Sequence, residues 1–414
     1  MKRGRRTLRP VLFAVLLAVL LAGCGRNTAP GGAPGSAQAS LPGSAAGEET
    51  AAPAASGGDA DPPGTVRPVN PEPEPGKLVP DWDSLFTQES VVERNVHTDF
   101  YYRAFQRDAA ATWLVPGLAQ GFVPQGMDVW RERGLLLISG YFPDRSVSDS
   151  SMLFALDLRT GNLAGEYSLR NPDGSPHTSH VGGVAVAGGN LYLSNSGRLL
   201  RVDLAQLATG APKAALTIRE SIPVPVRASF CNYSGGLLWV GDFYIPGNAS
   251  YATDQSHHMT SRTGAAYGAW CVGYRLTDET ESGFRPDSRG PSGEMVPDVI
   301  LSIDQKIQGV AVVGPVIALS QSYGRTNDSK ILLYENPLDT EPHRTVELDG
   351  REVPLWFLDG ALDTDLRIAP PMSQGLAEYN GQLLILFESG AACYREDGGR
   401  NPTDRVWVMT LPKD

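Results

Sequence analysis

Gln125-Gly126-Met127-Asp128-Val129, a short turn, and then Leu135-Leu136-Leu137-Ile138-Ser139-Gly140 form the stretch on which the fold is read. A polar residue and a glycine open a short strand, and an apolar strand answers it and ends in small polar residues. The same order returns in Gly182-Gly183-Val184-Ala185-Val186 with Leu191-Tyr192-Leu193-Ser194-Asn195, and in Gln308-Gly309-Val310-Ala311-Val312 with Val316-Ile317-Ala318-Leu319-Ser320. It returns again in Gln374-Gly375-Leu376-Ala377-Glu378 with Leu383-Leu384-Ile385-Leu386-Phe387-Glu388. A weaker copy, residues 227–233 followed by Leu237-Leu238-Trp239-Val240-Gly241-Asp242, lacks the glycine of the first strand.

Most units continue into a third strand, such as Leu153-Phe154-Ala155-Leu156-Asp157-Leu158 or Ile331-Leu332-Leu333-Tyr334, so the repeat is a meander. Meanders recurring at roughly 40–50 residues with Gly-rich turns are the mark of propeller blades. Wider spacings point to insertions at 244–270 and 349–372, and no run of ten or more residues carries helical periodicity. The reading is an all-β chain with a single β-propeller over residues 79–414. Five blades are expected, or six if the long third unit hides a degenerate one, with a strand inside 111–118 completing the last sheet. A β-sandwich would not repeat the Gln-Gly opening.

Ahead of the repeats, Lys2, Arg3, Arg5, Arg6 and Arg9 precede an apolar run over 11–22 and then Leu21-Ala22-Gly23-Cys24. That order is an export signal. The apolar run is shorter than the roughly 20 residues a helix needs to span the hydrocarbon core. Leu-Ala-Gly-Cys resembles the lipobox of bacterial lipoproteins, which implies a signal peptide over 1–23 and a diacylglyceryl group on Cys24. Two or three acyl chains, palmitate among them, make a durable tether. The expected location is the bacterial cell membrane, lipid-anchored and facing the extracytoplasmic side. Residues 24–78 are rich in Pro, Gly, Ala and Ser and cannot bury enough apolar surface to fold, so they read as a disordered linker.

Removing residues 1–26 takes away six of 35 basic residues and none of 46 acidic ones, which leaves a net charge of −17. Such a chain has no electrostatic footprint for nucleic acid or for anionic headgroups. Beyond Cys24 stand Cys231, Cys271 and Cys393, enough for at most one disulfide. Cys231 and Cys271 fall on first and third strands, which are not neighbours, so free buried thiols are expected. The Gly-x-Ser-x-Gly, His-Glu-x-x-His, Walker and Cys-x-x-Cys signatures are absent from the sequence.

In a propeller the ends of the second strands converge on one mouth of the channel. Those ends are polar or aromatic here, which suits a small molecule or a peptide end, though turn residues are polar in any propeller. Candidate ligand-binding residues are Gln125, Tyr141, Asn195, Tyr244, Gln308, Ser322, Tyr323, Arg325 and Gln374. Asp242 and Glu388, from different blades, are candidates for a shared Ca²⁺ or for an acid/base pair, with Arg325 able to neutralise either carboxylate. His257 and His258 read as surface or lid histidines, and His180 as a packed turn residue or, alternatively, as a residue lining the mouth.

Phe122-Val123-Pro124-Gln125-Gly126-Met127 and Phe387-Glu388-Ser389-Gly390 resemble segments of two propeller families, the gluconolactonase type and the plant-and-bacterial type of glutaminyl cyclase. The latter is five-bladed, opens on Phe-Thr-Gln-Gly-Leu and continues into a Tyr-Glu-Ser-Thr-Gly turn. Gln125 matches that opening, whereas the following turn reads Ser139-Gly140-Tyr141 and the glutamate occurs in the last repeat, as Glu388. The function expected is therefore a cell-surface lipoprotein, monomeric, that binds a small ligand or peptide at the channel mouth. The alternatives are a metal-dependent enzyme, lactonase-like or cyclase-like, built on Glu388 and Asp242, and a protein-interaction platform using the long insertions.

Overall fold

The structure, a computed structural model, describes residues 77–93, 100–209 and 211–411, all within the unit Asp59–Asp414. The signal segment, Cys24 and nearly all of the linker lie outside the described residues. Five antiparallel sheets follow one another around an axis. Blade 1 consists of Val123–Trp130, Leu135–Tyr141, Met152–Asp157 and Leu163–Arg170. Blade 2 is Gly183–Ala187, Asn190–Asn195, Arg198–Asp203 and Glu220–Pro223, and blade 3 is Phe230–Ser234, Leu237–Gly241, Ala269–Tyr274 and Val299–Ile303. Blade 4 is Ile307–Val313, Val316–Gln321, Ser329–Glu335 and Asp363–Ala369. Blade 5 joins Ser373–Tyr379, Gln382–Phe387 and Arg405–Met409 to Ala109–Leu114, which pairs with the last of these and closes the ring a little ahead of where the sequence placed the closing strand.

The second strands are unbroken apolar runs because both faces of each blade are covered. In blade 1, Leu136 and Ile138 pack toward Val406 and Val408 of blade 5, while Leu137 packs toward Val184 and Leu193 of blade 2. All three are fully buried, each contributing on the order of 2 kcal/mol. Five such cores fill the five blade interfaces. Helices of the described residues are short, Arg103–Asp108 and Ala392–Arg395, and none is long and apolar enough to cross a membrane.

The insertions are not loose. Residues 349–372 supply the outer strand of blade 4, and Arg351–Phe357 lies parallel to Val299–Ile303 on the outer edge of blade 3. Lys213–Thr217 does the same for blade 1, against Leu163–Arg170. Two outer edges that would otherwise offer unpaired backbone are thereby covered.

An innermost strand has the same problem on its inner side. The repeat glycines solve it by letting backbones touch across the axis. A Cβ on Gly126 would stand 2.4 Å from Gly183 Cα, one on Gly183 2.2 Å from Cys231 N, and one on Gly309 2.6 Å from Gln374 O. Blade 3 has no such glycine because the small residue has changed strands. Elsewhere Gly126, Gly183 and Gly309 face Ser139, Ser194 and Ser320, whereas Phe230 faces Gly241 and lays its ring over it.

Candidate functional site

Next to the glycines the axis is closed by polar side chains that serve backbone groups with no strand partner. Asp128 accepts from the N–H groups of Val129 and Val186, each at 2.8 Å, and from Tyr233 at 3.4 Å. Asn232 Nδ2 donates to Leu376 O at 3.1 Å, and Ser234 Oγ accepts from Val312 N at 2.9 Å. Burial pushes the Asp128 carboxyl up to about 7, its backbone hydrogen bonds pulling the other way. The channel is thus a plug rather than a passage.

The mouth itself is built by β-bulges. Register slips between Pro124 and Gly126, between Ile307 and Gly309, and between Ser373 and Leu376, which places Gln125, Gln308 and Gln374 on irregular backbone at the strand starts. A bulge re-aims a side chain out of the ladder. Gln125 Nε2 donates to Glu388 Oε2 at 2.7 Å, and Gln374 and Tyr394 add hydrogen bonds to the same carboxylate. Burial nevertheless raises Glu388 to about 7, the three hydrogen bonds and the Arg325 charge holding it from going further. It is 8 % exposed, so its carboxyl is enclosed without being sealed.

Aromatic rings surround it. Tyr394 bonds Tyr141, whose ring lies 4.8 Å from that of His180. Phe243 packs 5.1 Å from Tyr251 and 6.2 Å from Tyr323, and Tyr251 feels the charge of Glu388. Arg325 sits 5.2 Å over the Tyr394 ring and is paired with Asp397, while Lys306 sits 5.6 Å over Tyr323. His180 is exposed, and the protein packed around its ring pushes its pKa down to about 4, so it is neutral at pH 7.

Of the sequence candidates, Gln125, Tyr141, Tyr323, Arg325, Gln374 and Glu388 therefore gather at one mouth. Gln308 shares the bulged geometry and is half-buried, and Asn195 ends its strand half-buried, opposite Arg198. Ser322 is interior, bonded to Ser329 Oγ at 3.1 Å. Tyr244 packs over Gly268 and 5.2 Å from His258, inside blade 3. Asp242 does not join Glu388: it is fully buried and spends both oxygens on Arg227 N at 2.7 Å, Trp270 N at 2.9 Å and His257 Nδ1 at 2.8 Å. His257, read as a surface residue, is buried and stacked 3.9 Å from Trp270, because Asp242 draws the insertion inward. His180, for which the sequence left a packed turn and the mouth both open, lies with its ring 4.8 Å from that of Tyr141.

Calcium prefers six or more oxygen ligands, and the donors around Glu388 include amide N–H groups aimed at it. Among the described residues no group of three or more His, Cys, Asp and Glu is placed to hold a metal ion. The Ca²⁺ reading of Asp242 and Glu388 does not fit this geometry. Cys231 and Cys271 are free and buried, on strands separated by Leu237–Gly241, and burial raises both thiols. Asp128, Phe243, Tyr251 and Tyr394 were not singled out by sequence; the one available signal was Asp128, a carboxylate where other repeats carry alanine, as at Ala185, Ala311 and Ala377.

Two hollows of about 540 Å³ lie away from the mouth. One, beside Gly188 and Arg201, holds Asp203 paired with Arg201 and with Arg219 at 2.7 Å each, and is also lined by Asp278 and Glu281. The other, beside Arg367, is spent on the Arg367–Asp108 pair at 2.6 Å.

No protein-family model matches the chain, and no curated protein matches it in sequence. Solved structures resemble it. A glutaminyl cyclase from Myxococcus xanthus is 12 % identical, covering 73 % of this chain and 97 % of its own, with a TM-score of 0.36. A GH43_1 enzyme from Xanthomonas citri is 12 % identical over 76 % of this chain and 93 % of its own, at 0.38. A putative oxidoreductase (glucose dehydrogenase) from Thermus thermophilus is 12 % identical over 73 % and 99 %, at 0.33. Likeness at this level concerns the fold and carries no function.

Proposed function

We propose that this protein is a lipoprotein, held on the extracytoplasmic side of the membrane through Cys24, whose propeller mouth binds a small uncharged ligand with one hydrogen-bonding end. The observation that supports it is the Glu388 carboxyl, held by Gln125 at 2.7 Å and by Gln374 and Tyr394 beneath aromatic walls. A carboxyl that titrates near neutrality both donates and accepts, two carboxamides fix its direction, and Tyr141, Tyr251 and Tyr323 cover an apolar ring or chain. Monosaccharides and short blocked peptides have that mixture of polar end and apolar face. Arg325 and Lys306 are already engaged with Asp397 and with rings, so the mouth offers no dedicated anion clamp.

The test is saturation-transfer NMR with a panel of monosaccharides and N-acetyl dipeptide amides on the intact chain and on Glu388→Gln and Tyr323→Ala. Saturation received by a panel member and lost in both variants supports the reading. A panel that receives none, or binding indifferent to both substitutions, overturns it.

A second reading, acid/base catalysis at the same carboxyl, is favoured by one observation: Glu388 sits at about 7, where a group both takes and gives protons at working pH. It needs no metal. A turnover whose pH profile turns near 7 and whose rate falls at least about 100-fold in Glu388→Gln would distinguish it from binding alone.

A further inference from the structure

The loop 171–180 carries the chain from the outer strand of blade 1 to the innermost strand of blade 2, and it holds an arrangement that the mouth does not use. Asn171 Nδ2 donates to Ser175 Oγ at 3.0 Å and to Pro176 O at 3.2 Å. Those bonds turn Oδ1 toward His177, where it stands 2.9 Å from Nδ1. A carboxamide oxygen accepts and cannot donate, so Nδ1 carries the imidazole proton and Nε2 is left with its lone pair. Nε2 faces the Ser179 hydroxyl within hydrogen-bond reach. Hydroxyl, imidazole and carboxamide stand in the order nucleophile, base, orienter. Burial lowers the His177 pKa, which keeps the ring a neutral base at pH 7.

The surroundings suit the same role. Ser179 is half-buried, so its hydroxyl is within reach of solvent, and its carbonyl is held by Ser151 Oγ. Arg145 is exposed and donates to Thr178 O at 2.9 Å, which sets a cation beside the serine. After Ser179 the chain turns sharply, with Val181 at φ 45°, a conformation a β-branched residue adopts only under constraint. The N–H groups of Ser179 and His180 donate to no acceptor among the described residues and are the donors nearest in sequence for a developing oxyanion. His180 itself lies against Tyr141, which puts the serine on the rim of the mouth.

We infer that Ser179 is the nucleophile of a second site, with His177 as its base and Asn171 as a positioning residue, that transfers the acyl group of small carboxylic esters to water. Ser179 Oγ bonds to the ester carbonyl carbon while its proton passes to His177 Nε2. The carbon–alkoxide bond breaks, and the alkoxide leaves as the alcohol with that proton. Water then attacks the acyl-serine, its proton passing to Nε2; the carbon–Oγ bond breaks, Oγ regains the proton, and the carboxylic acid departs. No oxidant, metal or further co-reactant is required.

The experiment uses the whole purified chain with p-nitrophenyl acetate and a fluorophosphonate probe. The expected results are probe attached to the peptide carrying Ser179, hydrolysis abolished in Ser179→Ala, and a rate lowered by about 100-fold or more in His177→Gln. The rate rises with pH through a half-point below the ordinary histidine range. Asn171→Asp, which keeps the acceptor at Nδ1 but adds charge, moves that half-point upward, a shift that a purely structural role would not produce. Hydrolysis that survives in Ser179→Ala, or heat-denatured chain labelled as fast as folded chain, overturns the inference.

Discussion

Replacing Asp128 with asparagine tests whether the axis is closed by a neutral carboxyl. In the folded chain the carboxyl titrates near 7 against about 3.8 when free, because it is fully enclosed beside the backbone of three blades. A folded pKa raised above the unfolded one means that the native state prefers the protonated form. The stabilisation is complete below about 4 and is lost as pH climbs through 7. Linkage over that interval gives a relative loss of roughly 2–3 kcal/mol between pH 5 and pH 8. The substituted carboxamide cannot titrate, and its N–H₂ must face one of the N–H groups Asp128 now accepts, a fixed cost of roughly 1–3 kcal/mol. Guanidinium unfolding of both chains at intervals from pH 5 to 8 should therefore show the variant less stable at pH 5 and the gap narrowing steadily toward pH 8. Parallel curves would refute the reasoning, since they would mean that the carboxylate is charged throughout and fully accommodated by its N–H donors.

Gly126→Ala should be among the most damaging small substitutions, because its Cβ would lie 2.4 Å from Gly183 Cα, backbone that cannot step aside; overpacking of this kind costs about 1–3 kcal/mol or more, read as a lowered thermal midpoint. For the anchor, Cys24→Ser is expected to abolish incorporation of labelled palmitate and release the protein from the membrane fraction; retention of label would exclude lipidation at that cysteine.

The repeat was legible because a blade is a local meander. Strand, turn and strand lie within about twenty residues, and a glycine at a fixed place in each first strand survives as a pattern in the chain. Even the closing strand could be anticipated, since a ring needs one. Cys231 and Cys271 were placed correctly on non-adjacent strands by the same logic. The mouth was legible only in part. Gln125, Gln374 and Glu388 stood out by position in the repeat, but their meeting depends on two bulges whose slips cannot be counted from sequence. Asp242 looked equivalent to Glu388 because both end a second strand. It differs because three donors of blade 3, from Arg227, Trp270 and His257, converge on it and leave no free oxygen.

Sequence by itself thus determined the class of fold and the repeat, with five blades expected and six left open, because these follow from periodicity and turn chemistry within single repeats. Tertiary structure alone decided that the axis is plugged, that Asp242 and His257 are buried together, and that Asn171, His177 and Ser179 align. Each of those depends on groups brought together by ring closure or by the path of a loop, and the free energy of a buried carboxyl or an oriented imidazole is set by its neighbours in space, which the order of residues along the chain does not specify.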